Sequence, residues 1–216
     1  MSSDRYVPAL GFERLTRLYD PVLRLTTRET TFRRRLLDQA QLRPGDSVLD
    51  LGCGTGTLAV AATEREPRLE MVGIDGDPAM LQRARAKAAA AGAHVDFDEG
   101  LSDALPYAES SFDAVLSSLF FHHVTRAVKE RTAREIARVL RPGGTLHVLD
   151  WGRPRDPLTR ARFLGVQLFD GFETTRDTVT GALPQILAGA GLADVREHGR
   201  LQAAFGVLNF WSARRS

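Results

Sequence analysis

The sequence predicts an α/β protein with a doubly wound, mostly parallel sheet of seven strands, an antiparallel hairpin at one sheet edge and a helical cap. Two observations support this fold class. Short apolar strands alternate with helical segments from residue 46 onward, which is typical of a parallel sheet with helices on both faces. A glycine-rich turn joins the first of these strands to the first helix, as in Rossmann-like folds.

The predicted elements follow one another closely from residue 46. Asp77 and Pro78 mark one helix start, because an aspartate N-cap before a proline suits the first helical turn, and Gly92 ends that helix. Residues 192–195 and 205–211 are predicted as the two last strands. The other predicted elements are strand 46–51, helix 57–65, strand 69–74, helix 78–91, strand 93–98, strand 112–118, helix 125–140 and strand 144–150.

Two segments lie outside this regular alternation. Residues 1–43 carry aromatic side chains among many arginines, and Asp156 with Pro157 predicts a helix start within residues 151–181. One apolar face of that helix is formed by Leu158, Ala161, Leu164 and Leu168. Both segments flank the carboxyl ends of strands, where ligands bind in open α/β sheets, so we expect them to form a substrate cap.

The chain is therefore predicted to be a single domain. Its parts are the N-terminal helical cap segment 1–43, the cofactor-binding core 44–150, the cap insertion 151–181 and the C-terminal helix and strands 182–216. The chain has 216 residues, of which 43% are hydrophobic, and this is enough for one buried core.

Charge and composition exclude several other classes of protein. The formal net charge is only +2, so bulk charge gives no argument for nucleic acid. The start lacks a basic segment followed by an apolar core, and no apolar run approaches the ~18 residues of a membrane span. We therefore expect a cytoplasmic protein. Cys53 is the only cysteine, which excludes an internal disulfide and argues against a cysteine metal cluster.

The most informative motif is the glycine-rich loop after strand 46–51. Gly52, Gly54 and Gly56 leave the backbone without Cβ atoms, so a ligand can lie directly against it. The helix that follows directs unpaired N–H groups toward an anionic group. Asp75 ends the next strand 19 residues after Gly56 (75 − 56), where an acid can accept hydrogen bonds from ribose hydroxyls. Together these features predict a cofactor site.

Four matches in chain order carry a resemblance to a known family. They are Asp50-Leu51-Gly52-Cys53-Gly54-Thr55-Gly56, Gly73-Ile74-Asp75 with Met80 just beyond, Leu105-Pro106-Tyr107 before Ser111-Phe112-Asp113-Ala114-Val115, and Val139-Leu140-Arg141-Pro142-Gly143-Gly144. Over about residues 44 to 150 the chain resembles the class I S-adenosylmethionine-dependent methyltransferases, especially their small-molecule branch of ubiquinone and menaquinone biosynthesis. The resemblance implies S-adenosyl-L-methionine as the cofactor.

The resemblance also implies which residues contact that cofactor. The glycine loop would hold the methionine part, Asp75 the ribose hydroxyls and Met80 the adenine. The family often has an acid on the adenine amino group, but this chain has Leu101, which cannot accept that hydrogen bond. Backbone groups of Leu101 and Ser102, or Asp103, would take its place. The full set of expected contacts is Asp50, Gly52, Cys53, Gly54, Gly56, Asp75, Gly76, Met80, Leu101, Ser102 and Ser117.

Two adjacent histidines follow strand 112–118, at a place that borders both cofactor and substrate in the family. A histidine that titrates near neutrality can take a proton from a hydroxyl, a phenol or a carbon acid, so His122 and His123 are the candidate catalytic bases. A structural role, which relatives often show here, stays open. No metal site is expected, because adjacent histidines do not share a helix face and no carboxylate cluster accompanies them in the sequence.

The candidate substrate contacts are Tyr19, Asp150, Trp151 and Phe169. Asp150 could orient an amine or hydroxyl of the acceptor, or it could cap the following turn. Methyl transfer from a sulfonium is an in-line displacement that depends mainly on positioning, so binding motifs without a catalytic triad are sufficient. We expect a small-molecule substrate and no nucleic acid, and the sequence leaves the oligomeric state open.

Three alternatives remain at the level of the sequence. Gly54, Gly56 and Ala59 also satisfy the dinucleotide fingerprint of a nicotinamide-dependent oxidoreductase, but no tyrosine is followed four residues later by lysine. A non-catalytic S-adenosylmethionine-binding regulatory protein would keep the same pocket. A nucleic-acid methyltransferase is suggested by arginines near the amino end, which a solvated helix face explains more simply: Arg24, Arg28, Arg33, Arg34 and Arg35.

Overall fold

The computed structural model describes residues 29–216, which form one seven-stranded sheet with flanking helices. The strands are β1 (Ser47–Leu51), β2 (Glu70–Asp75), β3 (Asp96–Glu99), β4 (Phe112–Ser118), β5 (Leu140–Trp151), β6 (Leu192–Ala203) and β7 (Gly206–Arg215). The helices are α1 (Glu29–Ala40), α2 (Thr57–Arg65), α3 (Pro78–Ala91), α4 (Arg126–Val139), α5 (Pro157–Asp170), α6 (Phe172–Thr180) and α7 (Leu183–Gly189). A 3-10 turn, Phe121–His123, joins β4 to α4.

The sheet has the strand order β3-β2-β1-β4-β5-β7-β6. The first five strands in this order run parallel, and β7 lies antiparallel between β5 and β6. The predicted doubly wound sheet with an antiparallel edge hairpin is therefore confirmed. Because the strand order reverses between β1 and β4, the carboxyl ends of these two strands border the crevice where ligands bind in open α/β sheets.

Helices bury apolar side chains on both faces of the sheet. On one face, Phe32 of α1, Leu58 of α2 and Leu81 of α3 belong to one buried cluster. On the other face, Ile136 of α4 and Leu187 of α7 belong to a second cluster. Full burial of a side chain of this size contributes about 1.5–3 kcal/mol, so the two layers give the crevice a rigid base.

The ends of α3 agree with the sequence signals. Asp77 Oδ1 accepts a hydrogen bond from Ala79 N at 2.8 Å, and Gly92 ends the helix at φ 64°. The strand limits differ more. β5 begins at Leu140 rather than 144, because Leu140 pairs with Phe112 before the ladder shifts register. β6 runs to residue 203 because β7 pairs along its length.

The segments outside the regular alternation are only partly described. Residues 1–28, including the predicted substrate contact Tyr19, lie outside the described residues. Helix α1 is the described helix of the predicted N-terminal cap segment, and residues 151–181 contain α5 and α6. Within residues 29–216, no helix combines the length and the apolar character that crossing a membrane requires.

Two glycines of the loop after β1 differ in the space around them. A Cβ added to Gly56 would lie 2.9 Å from both Ala84 Cβ and Phe97 Cζ, whereas one added to Gly54 would meet no atom within 4 Å. Both residues have positive φ, so alanine costs about 1–2 kcal/mol at either position. We expect Gly56→Ala to lower the free energy of unfolding by about 1–3 kcal/mol more than Gly54→Ala, because overpacking adds to the strain.

Urea unfolding followed by circular dichroism measures this difference. Gly54→Ala is the matched control, since both changes add one methyl group at a left-handed backbone position. Equal losses in the two variants would contradict the packing role of Gly56.

Candidate active site

The glycine loop lies at the carboxyl end of β1 and is attached to β2. The backbone N–H groups of Gly52 and Cys53 both donate to the carbonyl oxygen of Ile74, at 2.9 and 3.0 Å. A Cβ at Gly52 would collide with the ring of Phe120, so this glycine lets the ring pack against the loop. Gly54 faces open space instead. It is the position at which a ligand can approach bare backbone.

The acid at the end of β2 is bonded to this loop. Asp75 Oδ2 accepts a hydrogen bond from Gly54 N at 2.8 Å, and Oδ1 accepts one from Asp77 N at 2.9 Å. Burial raises the pKa of Asp75, although the bonds from Asp77 and Gly54 oppose the shift. Each carboxylate oxygen keeps a second lone pair for a ligand donor.

Asp50 lies within β1 directly before the loop. Its side chain is buried, and Oδ2 makes no hydrogen bond within the described part of the chain. Burial raises the pKa of Asp50 to about 7, against the opposing charge of Arg33. A buried carboxylate oxygen without a donor is unfavourable, so this position favours a cationic or N–H group of a ligand.

His122 and Asp150 form a buried dyad at the ends of the neighbouring strands β4 and β5. Their side chains are 1% and 2% exposed, and His122 Nδ1 lies 2.7 Å from Asp150 Oδ1. Asp150 also accepts hydrogen bonds from the backbone N–H groups of Phe121 and Trp151, both at 2.7 Å. An ionised carboxylate only accepts hydrogen bonds, so His122 donates through Nδ1 and its lone pair lies on Nε2.

The two histidines differ strongly in basicity. Burial opposes the charged form of His122, but the charge of Asp150 and its hydrogen bond outweigh burial and raise the pKa of His122. Burial and the neighbouring charge of His122 lower the pKa of His123 to about 3. The pKa of Asp150 stays below its usual value because His122 outweighs the effect of burial. His122 is therefore the stronger base of the pair.

The fold also brings a second carboxylate to the histidines. Asp170, the last residue of α5, places Oδ2 3.8 Å from His122 Nε2 and Oδ1 3.6 Å from His123 Nδ1. Burial raises the pKa of Asp170, with the charge of His122 opposing the shift. The sequence analysis expected no carboxylate cluster beside the histidines, whereas the fold brings Asp150 and Asp170 to them from other elements. Asp150 was predicted as a substrate contact or turn cap, and no local pattern marked Asp170.

Comparisons with known proteins identify the family. A family model described as a methyltransferase domain matches residues 48–144. An uncharacterized methyltransferase of Synechocystis sp. is 33% identical over 173 residues, an alignment that covers 79% of this chain and 77% of that protein. The chain belongs to the S-adenosylmethionine-dependent methyltransferases.

Two further proteins resemble this methyltransferase. The demethylmenaquinone methyltransferase of Thermus thermophilus is 40% identical over 145 residues, covering 66% of this chain. The alignment spans only 65% of the length of that relative. The crystal structure of a SAM-dependent methyltransferase from Aquifex aeolicus has a TM-score of 0.69 at 18% identity and covers 94% of this chain and 97% of that chain. At this identity the likeness shows the shared fold.

Membership of this family implies S-adenosyl-L-methionine as the cofactor, and the residues present fit it. This cofactor carries a cationic sulfonium and an ammonium group, and Asp50 offers a buried acceptor oxygen that lacks a partner in the described residues. Gly54 leaves the backbone bare on its open side. Asp75 keeps lone pairs at the end of β2, where ribose hydroxyls require an acceptor.

The other expected cofactor positions differ in their surroundings. Met80 and Gly76 are partly buried, and Leu101 is 52% exposed. Cys53 is buried inside the loop, and burial raises the pKa of its thiol. A protonated, buried thiol packs as a small apolar group, which argues against a reactive role for Cys53.

The two serines expected to contact the cofactor already have partners in the protein. Ser102 Oγ lies 2.9 Å from Thr132 Oγ1 of α4. Ser117 Oγ is fully buried and donates to the carbonyl oxygen of Leu51 at 3.3 Å. These bonds connect the ends of β3 and β4 to their neighbours.

The substrate candidates of the cap are placed differently from one another. Trp151 is 7% exposed, and its ring centroid lies 6.4 Å from that of His122 and 6.0 Å from that of Phe163 on α5. Phe169 is 69% exposed on the outer side of α5. The predicted apolar face of this helix also points outward, since Leu158 and Leu168 are 60% and 74% exposed. Phe163 is the buried aromatic side chain that the sequence analysis missed.

A cleft of about 610 Å³ adjoins the dyad on the side of α6 and α7. Asp150, Trp151 and Asn209 belong to its lining, and Asn209 Oδ1 is buried without a hydrogen bond in the described residues. Its volume suits a small molecule. His122 and His123 are not among its lining residues, so the cleft alone does not locate the acceptor.

A buried lysine connects the core to the cap beside these histidines. Lys129 of α4 is 1% exposed, and its Nζ donates to Asp177 Oδ2 at 3.0 Å and to the carbonyl oxygen of Thr174 at 2.7 Å. Asp177 and Thr174 both belong to α6, which packs against the 3-10 turn that carries the histidines. The sequence analysis did not single out this pair.

We expect Lys129→Met to destabilise the protein by about 3–5 kcal/mol, because it leaves the buried carboxylate of Asp177 with only the partly exposed Arg126 as a cationic partner. The double variant Lys129→Met/Asp177→Leu should recover much of this loss, since no uncompensated charge remains. Chemical denaturation measures both values. A double variant as unstable as the single one would contradict the role assigned to the unpaired charge.

Proposed function

We propose that this methyltransferase moves the methyl group of S-adenosyl-L-methionine to a small, partly apolar acceptor, at oxygen, nitrogen or carbon, with His122 as the general base. The observation that carries the proposal is the buried His122–Asp150 dyad, in which Nε2 makes no hydrogen bond within residues 29–216 and carries the lone pair of the neutral ring. Such a dyad fixes the tautomer of a histidine and stabilises the imidazolium that forms when it takes a proton.

The first contribution of the chain is positioning. The bound cofactor supplies an electrophilic methyl group on its sulfonium. The glycine loop, Asp50 and Asp75 would hold the methionine and ribose parts, so that the methyl group is fixed at the carboxyl edge of the sheet. Holding two reactants in line can lower a barrier by about 7–11 kcal/mol. This supports in-line displacement without a covalent enzyme intermediate.

The second contribution is removal of a proton. His122 Nε2 would take the proton that the acceptor's nucleophilic atom gives up when it is methylated, while the glycine loop, Asp50 and Asp75 would hold the cofactor that supplies the methyl group. Asp150 stabilises the resulting imidazolium through Nδ1–H. The pKa of about 3 makes His123 a poor base at neutral pH.

The apolar surroundings favour an acceptor with a hydrophobic part. Trp151 approaches the His122 ring edge-on, and Phe163 packs behind it. One relative is named a demethylmenaquinone methyltransferase, and its name indicates a quinone-type acceptor. We therefore propose a phenol, hydroquinone or similar ring compound as the first class to test. Mass spectrometry after incubation with methyl-labelled cofactor identifies any compound that gains the label.

We expect His122→Ala to lower turnover by about 10²-fold or more with nearly unchanged cofactor affinity, because general-base catalysis is worth about 10²–10⁴-fold. His94→Ala, on the exposed surface before β3, is the matched control and should keep full turnover. An undiminished rate in His122→Ala would leave this histidine only a structural role. Cofactor binding without product from any acceptor in the panel would favour the non-catalytic, regulatory alternative.

The pH profile tests the dyad itself. The neutral form of His122 is the base, so turnover should rise as the pH rises through its raised pKa. In Asp150→Asn the carboxylate charge is gone and burial dominates, so the pKa of His122 falls. We expect the acid limb of the profile to move to lower pH, while the maximal rate falls because the ring loses its orienting partner. An acid limb that does not move would argue against the dyad.

Cofactor binding tests the loop assignment separately. We expect Asp75→Ala to weaken cofactor binding by about 10-fold or more, because it removes a charged acceptor from the end of β2. Asp96→Ala, at an exposed position of the adjacent strand β3, should bind the cofactor as the unaltered protein does. Isothermal calorimetry gives both constants. Equal affinities for the two variants would contradict the site.

A further inference from the structure

Three metal-ligating side chains converge beside the dyad. The ligand atoms of His122, His123 and Asp170 all lie within 4.8 Å of one another. Asp170 Oδ2 lies 3.8 Å from His122 Nε2, and Asp170 Oδ1 lies 3.6 Å from His123 Nδ1. The three residues come from the 3-10 turn after β4 and from the end of α5, so the cap completes the cluster.

These separations are close to those that a small divalent ion requires. Zinc binds histidine nitrogen and carboxylate oxygen at about 2.0–2.2 Å, which places two tetrahedral ligands about 3.4 Å apart. The two distances to Asp170, which end on different oxygens of its carboxylate, exceed this value by a few tenths of an ångström, and a pair at the 4.8 Å limit would have to close by about 1.4 Å. The His123 ring is 24% exposed, which opens an entry path. It packs against the His122 ring, with the centroids 3.9 Å apart and the planes tilted by 40°, so metal binding requires the His123 ring to turn.

His122 is already arranged as a metal ligand. Its Nδ1 donates to Asp150, and its Nε2 is buried and makes no hydrogen bond within residues 29–216. A histidine whose second nitrogen is bonded to a carboxylate is the usual arrangement around a bound metal, because the carboxylate fixes the ring and raises its basicity. The unsatisfied Nε2 is therefore an independent sign of a missing ligand.

The local charge also favours a cation. Among the described residues, the charges of Asp150 and Asp170 act on His122, and the charge of Lys129, which opposes them, is paired with Asp177. Two imidazole nitrogens and one carboxylate suit zinc and neighbouring transition metals, whereas magnesium and calcium prefer oxygen donors. This set of two nitrogen ligands and one oxygen ligand therefore favours a transition-metal ion over an unselective surface site for divalent ions.

We propose that His122, His123 and Asp170 bind one zinc-like transition-metal ion and that the bound ion inhibits methyl transfer. The inhibition rests on the proposed function, because the ion takes the same Nε2 lone pair that would accept the proton of the acceptor. The binding itself does not depend on that function. The proposal departs from the sequence expectation of no metal, which rested on adjacent histidines not sharing a helix face and on the lack of a carboxylate cluster in the sequence.

Metal binding is tested on the full chain after dialysis against a chelator. We expect calorimetry to give one Zn²⁺ per chain, and Co²⁺ to give visible absorption bands of a site with nitrogen and oxygen ligands. Asp170→Asn and His123→Ala should each weaken Zn²⁺ binding at least 10-fold. Asp194→Asn, an exposed aspartate in β6, is the matched control and should bind as the unaltered protein does.

Far-UV circular dichroism of each variant shows that the fold is kept. Absence of Zn²⁺ binding in the unaltered chain, or unchanged binding in a folded Asp170→Asn variant, overturns the site. This readout needs no acceptor, so it remains decisive even if His122→Ala turns over at full rate.

The inhibition is tested with the labelled-cofactor assay. We expect Zn²⁺ to lower turnover of the unaltered enzyme in proportion to the occupied fraction, and a chelator to restore it. If Zn²⁺ binds at this site and turnover stays unchanged or rises, the proposed competition for Nε2 is wrong. The metal site itself would still be supported by the binding data.

Discussion

The carboxylate of Asp150 is the constraint on which the rest of the site depends. It accepts three N–H groups, from Phe121, from Trp151 and from the His122 ring. An ionised group buried to this degree is stable only when it is well bonded, so none of these donors can leave without a large cost. One side chain therefore fixes the turn after β4, the exit from β5 and the tautomer of the proposed base.

A carboxylate at a strand end is hydrogen-bonded to a neighbouring loop on the adjacent strands as well. Asp75 at the end of β2 bonds to Gly54 in the loop that follows β1, as Asp150 at the end of β5 bonds to the turn that follows β4. In each case a carboxylate from one parallel strand orders the loop leaving another. The cofactor loop and the His122 dyad are thereby held on the same edge of the sheet. In the proposed reaction, this arrangement would place the methyl donor and the proton acceptor at one edge of the sheet.

Much of the fold and about half of the candidate site follow from local sequence. The strand and helix alternation, the N-cap at Asp77 and the glycine loop each depend on neighbours within a few residues. His122 was predicted as a candidate base, but its partner was not. Asp150 was expected to orient the acceptor or to cap a turn. Instead it bonds to His122, which lies 28 residues earlier in the chain (150 − 122). Asp170 was not predicted as a site residue, because its distance to the two histidines depends on how α5 packs.

The amino-acid sequence by itself determined the α/β alternation, the bare backbone at Gly54 and the acid at the end of β2, because periodicity, glycine and capping residues act over a few positions. Only the tertiary structure decided which carboxylates surround His122, that Lys129 pairs with Asp177 and that the apolar stripe of α5 faces outward. These depend on contacts between elements distant in the chain. Burial, neighbouring charges and hydrogen bonds together shift the pKa values of these groups, and all three exist only once the elements have packed.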